Sequence, residues 1–177
     1  MSASPAKTLH RILRISALDG WSVALFAGLC TVISLLLGEW IGLLVGALVT
    51  AGGVFELRGR SALLRGDANG LTCLVRAQLL ILSTIWVYSL GNIVTYNEAK
   101  IMAQLTPELR NALSQAGMSI EELQRMMKPA FFGFYLTVMG VTLLFQGGLG
   151  RYYHSRRAAI AQALDGARTT PPSLPSN

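Results

Sequence analysis

Four runs of the chain, 21–38, 40–57, 77–96 and 129–150, are almost free of charge over a length that leaves few folds open. As helices rising about 1.5 Å per residue, each approaches the roughly 30 Å hydrocarbon core of a bilayer. Inside such a core a segment must satisfy its own backbone hydrogen bonds, which a helix does and an open strand does not. The pattern predicts an all-α integral membrane protein with four transmembrane helices. Composition agrees, since 52% of residues are hydrophobic and 14% charged, against roughly 25% charged in soluble chains.

Gly38 and Glu39 alone separate the first two runs, so these form a helical hairpin whose turn meets water at Glu39. Lys7, Arg11 and Arg14 precede the first run, Arg58, Arg60, Arg65 and Arg76 fill the second connection, and Arg151, Arg156, Arg157 and Arg168 follow the fourth. On the other side Lys100, Arg110, Arg125 and Lys128 are balanced by Glu98, Glu108, Glu121 and Glu122. The positive-inside rule then places both termini and the Arg-rich connection in the cytoplasm, at the cell (inner or plasma) membrane. Trp21, Trp40, Tyr96, Tyr152 and Tyr153 fall where aromatic rings favour an interface. A net charge of +6 suits anionic headgroups, so the expected partner is the lipid bilayer and not nucleic acid. A cleaved leader is disfavoured, because the first run lacks a small-x-small exit and Leu29 before Cys30 does not suit a lipoprotein site.

Outside the runs, Lys7, Arg11 and Arg14 recur at helical spacing while Leu9, Ile12, Leu13 and Ala17 gather on another face. This predicts an N-terminal amphipathic helix over 7–18, lying on the inner leaflet. Between the third and fourth runs, 97–128 reads as an extracytoplasmic helical hairpin. Thr106, Pro107 and Glu108 start its first helix, with a cap, a proline at the first position and an acid on the positive end of the dipole. Gly117 suits a left-handed end, and Ser119 with Glu122 forms a capping box for a second helix over 120–127. Leu105, Leu109, Ala112 and Leu113 line one helix; Ile120, Leu123, Met126 and Met127 line the other. Residues 1–168 make a single membrane bundle, and 169–177, with three prolines, is expected to be a disordered tail.

Small residues mark packing faces. Gly38, Gly42 and Gly46 repeat every four positions in the second run; Gly133, Gly140 and Gly147 share a row in the fourth. Both rows are expected to meet helices of the same bundle, with a contact to another copy as the alternative. Polar residues inside apolar runs mark a candidate cluster of Glu56, Arg76, Gln78, Asn92 and Gln146. Gln78 and Asn92 lie within about 40° of one helix face, and Glu56 would pair with Arg76.

No chemistry of a known kind is spelled out. Cys30 and Cys73 are too far apart in kind and place for a metal pair, and His10 and His154 stand without neighbouring ligands, so no metal or cofactor is expected. Phosphate-loop, dinucleotide and serine-nucleophile patterns are missing. The chain is therefore expected not to be an enzyme but a scaffold or accessory subunit of a membrane assembly, working with itself or another membrane protein. The alternative is a small channel or transporter acting as an oligomer.

Overall fold

The computed structural model describes residues 4–103, 106–115, 117 and 119–169, and all regular structure among them is helical. Its helices are α1 Pro5–Leu36, α2 Trp40–Leu64, α3 Asn69–Val94, α4 Glu98–Ala103, α5 Pro107–Gln115, α6 Ile120–Thr142, α7 Gly148–Ser155 and α8 Arg157–Thr169. A π turn, Leu143–Gly147, joins α6 to α7. Four stretches, Pro5–Leu36, Trp40–Leu64, Asn69–Val94 and Ile120–Ser155, are long and apolar enough to cross a membrane. The chain falls into two compact units, Met1–Thr84 with Leu143–Asn177, and Ile85–Thr142.

In the first unit, α1 and α2 form a tight hairpin. Gly38 adopts φ +71°, and the N–H groups of Gly38 and Glu39 close on the carbonyls of Leu35 and Ser34 at 3.2 and 2.8 Å. That pair of bonds satisfies the last carbonyls of α1 and needs a left-handed residue, which glycine supplies. Gly66, at φ +80°, ends α2 in the same way, with Gly66 and Asp67 donating to Leu63 and Ala62. The expected hairpin and its glycine turn are thus present.

The helices run past the apolar stretches, and this corrects two expectations. The 7–18 segment is not a separate amphipathic helix on a lipid surface but the first part of the unbroken α1. Its apolar face is covered by protein: Ile12 joins Leu63, Leu71, Leu74, Tyr153, Ile160 and Leu164 in a buried core. The arginines around that core, Arg11, Arg14, Arg151, Arg156 and Arg157, are exposed. This end of the unit is therefore built apolar inside and charged outside, and α8 completes it through Ile160 and Leu164, four positions apart on one face. The middle of the unit is reversed, with Phe26, Leu36, Trp40 and Ile41 at least 70% exposed.

The second unit is held by aromatic packing. Tyr96 packs 4.9 Å from Phe131, which lies 4.8 Å from Tyr135, and Tyr88 meets Tyr135 edge-on at 6.1 Å. Trp86 Nε1 donates to the Met139 carbonyl at 3.2 Å. Helix α5 starts at Pro107 as expected, and the Glu108 carboxyl is held below its usual range by its own backbone N–H and the Thr106 hydroxyl. Gly117 has φ +75°. Ser119 and Glu122 bond each other's backbone N–H groups at 3.1 and 3.0 Å, the expected capping box.

What the box starts is not a short second helix. α6 continues from Ile120 through Pro129 into the fourth apolar run, because the ladder of i→i−4 bonds loses only one donor at proline and does not end where charge does. Pro129 accordingly sits inside a helix and not at its first turn. Leu105 and the tail 170–177 lie outside the described residues, as do the side chains of Leu109 and Leu113.

Candidate functional site

Four polar side chains meet in the first unit, and a fifth, Gln146, is buried in the same unit. Asp19 stands on α1 beside Gly20, Glu56 on α2 one turn after Gly53, Gln78 on α3, Gln146 in the π turn and Tyr153 on α7. Small residues set the approach. A Cβ on Gly53 would lie 2.7 Å from the Ala24 nitrogen and 2.9 Å from the Gly20 oxygen, so α1 and α2 cross backbone to backbone there, one turn from Glu56. A side chain on Gly150 would begin 3.6 Å from the Cβ of Gln78, which lets α7 lie against α3.

Gln78 holds the centre. Its Nε2 donates to Glu56 Oε2 at 2.8 Å and to Asp19 Oδ2 at 3.0 Å, so both amide protons are spent on carboxylates. The Tyr153 hydroxyl donates to Glu56 Oε1 at 2.9 Å. Glu56, Gln78 and Tyr153 are buried, and Asp19 is half-buried. The orientation of the amide follows from its neighbours, since turning it over would aim Oε1 at two acids. Acceptors outnumber donors: Gln78 Oε1 and Gln146 Oε1 are both buried without a hydrogen-bond partner among the described residues.

Nearby arginines are engaged elsewhere. Arg60 Nε donates to the Leu13 carbonyl at 3.0 Å, Arg157 donates to Thr72 Oγ1 at 3.0 Å, and Arg11 and Arg156 lie over the Tyr152 ring. Arg76, expected to pair with Glu56, is exposed, because positions 76 and 78 of one helix do not face the same side. Asn92 belongs to the second unit, and its amide donates to the Tyr88 carbonyl of its own helix at 2.9 Å. Of the five expected residues, the structure therefore buries Glu56, Gln78 and Gln146 in the first unit, and joins Glu56 to Gln78 directly.

Asp19 and Tyr153 were missed. Both flank apolar runs, where a charge reads as the end of a span and a tyrosine as an interface ring. Tyr153 is instead fully buried, a place an aromatic hydroxyl takes when it has a polar partner. The signal available was periodic: Gln146, Gly150 and Tyr153 follow at four and three residues, one face of a helix.

The glycine rows divide. Gly42 and Gly46 of α2 pack on Ser34 and Thr31 of α1, where added side chains would collide. Gly38 serves the turn. Gly133 and Gly140 have nothing within 4 Å of a would-be Cβ, and Gly147 meets only Leu143 of its own turn. The fourth-run row is thus not covered by another helix among the described residues.

The class defined here is an all-helical chain with four helices of membrane-crossing length and a polar knot that ties the segments of its first unit. No family model, curated protein or solved structure matches it.

Proposed function

We propose that the chain is a multi-pass protein of the cell membrane, with its Arg-rich end in the cytoplasm, and that it serves as a scaffold or accessory subunit within a membrane assembly. The observation that carries the assembly role is the open row on α6. Gly133, Thr137 and Gly140 are exposed on one helix, with no atom against either glycine, the surface on which a second transmembrane helix approaches closely. Insertion is supported by the outward apolar side chains of all four long helices, among them Phe26, Ile41, Val87 and Leu144, each at least 70% exposed.

A second role is favoured by one specific feature. Asp19 and Glu56 share the Gln78 amide and among the described residues neither bonds a cation, so a small channel or transporter working as an oligomer could exchange a proton or cation there. Cross-linking in native membranes followed by mass measurement tests the assembly role. Gly140→Leu should abolish a cross-linked species that the unchanged chain forms, with the monomer still folded. A chain that cross-links only to copies of itself, and that moves protons or sodium in liposomes, would put the transport role in its place.

A further inference from the structure

The outer seam of the α1–α2 hairpin is a furrow of about 460 Å³. Its floor is small: α1 brings Gly28 and Thr31, and α2 brings Ala47, Thr50 and Ala51. Both threonines turn their hydroxyls onto their own helices, Thr31 Oγ1 to the Ala27 carbonyl and Thr50 Oγ1 to the Gly46 carbonyl, each at 2.7 Å. Their hydrogen-bonding groups are thereby satisfied, and a Cβ on Gly28 would meet the Thr50 methyl at 3.9 Å. The furrow is apolar along its floor although two of its residues are nominally polar.

One end is different. Phe55 forms a wall and Arg58 closes the furrow, its guanidinium 5.9 Å from the Phe55 ring centroid. Arg58 is exposed and is the only charged residue of the lining. Along α2, the rise from Ala47 to Arg58 is about 16 Å at about 1.5 Å per residue, close to half of a roughly 30 Å hydrocarbon core. An apolar channel one leaflet deep, ending in a cation where the helices become arginine-rich, has the shape and charge of a phospholipid site.

Resting on the membrane insertion argued above, we infer that this furrow holds one acyl chain of an anionic phospholipid, with its phosphate on Arg58. A zwitterionic lipid offers the same chain but cancels the phosphate charge, so selection falls to the arginine. A second copy is a poorer fit, since two-fold pairing of parallel copies across this seam would set one Arg58 beside the other.

The test is native mass spectrometry of the full chain released from vesicles of equal phosphatidylglycerol and phosphatidylcholine with identical acyl chains. The expected result is one retained lipid per chain, with phosphatidylglycerol favoured about five-fold, the scale of one basic residue at an anionic surface. Arg58→Gln should erase the preference while keeping some lipid. Ala47→Phe, at an exposed position that fills the furrow, should lower retention of both lipids without changing the thermal midpoint. Equal retention of the two lipids by the unchanged chain overturns the inference, and so does a lipid adduct indifferent to Ala47→Phe. Loss of a dimer in that variant, with no lipid on the unchanged chain, would assign the furrow to a second copy instead. A chain recovered from vesicles with no lipid adduct removes the lipid alone, whereas a chain that never enters vesicles removes the membrane reading as well.

Discussion

Glu56→Ala should unfold in detergent about 6–12 °C below the unchanged chain, the shift that a loss of about 3 kcal/mol produces in a protein of this size. The substitution leaves the Tyr153 hydroxyl and one Gln78 N–H without the acceptors they now use. A buried donor stripped of its partner costs about 1–3 kcal/mol, and here two are stripped at once. Removing one of two neighbouring acids offsets part of that loss, which is why about 3 kcal/mol is expected and not the upper end of the roughly 2–6 kcal/mol sum. Glu56→Gln keeps an oxygen for Tyr153 and should fall by less than half as much. Arg76→Ala is the contrasting control: the side chain is exposed, and its removal should stay within about 0.5 kcal/mol. An unchanged midpoint for Glu56→Ala would mean that the knot does not tie the helices, and an Arg76→Ala loss of equal size would restore the ion pair that the structure rejects.

The second large effect comes from adding one methyl group. Gly53→Ala places a carbon 2.7 Å from a backbone nitrogen and 2.9 Å from a backbone oxygen, and neither atom can rotate away as a side chain could. α1 and α2 must separate at their crossing. Overpacking of this kind costs about 1–3 kcal/mol, and the separation also draws Asp19, next to Gly20, away from Gln78. The same substitution at Gly133 has the opposite sign. Nothing lies within 4 Å there, so alanine adds helix propensity of about 0.5–1 kcal/mol without a clash. Thermal unfolding of the two monomeric variants side by side checks this, with the first expected to drop and the second to rise. If both move in the same direction, helix contact does not distinguish the two glycine rows.

Local chemistry was legible in the sequence and distant pairing was not. The Gly38 turn, the Pro107 start, Gly117 and the Ser119–Glu122 box all depend on residues within a few positions of one another, and all stand where their spacing places them. The Gly42–Gly46 row was legible for the same reason. Helix ends failed because charge was read as punctuation: Lys7 to Arg14 and Glu121 to Lys128 carry charge outward on helices that simply continue. The polar knot was half legible. Glu56, Gln78 and Gln146 stand out inside apolar runs, but opposite charge suggested Arg76 as the partner, whereas the fold supplies an amide and a phenol. Asp19 and Gln78 are far apart in the chain and share no pattern; the crossing of α1 on α2 at Gly20 and Gly53, with α3 close on α2 at Gly52, brings them together.

Single-cysteine labelling at positions 61 and 111, in a chain with Cys30 and Cys73 replaced by serine and expressed in intact cells, tests insertion most directly. With four crossings and the Arg-rich end inside, a membrane-impermeant maleimide reaches position 111 from outside and reaches position 61 only after the membrane is broken. Labelling of both positions from the same side, or recovery of the chain in the soluble fraction, would contradict the account.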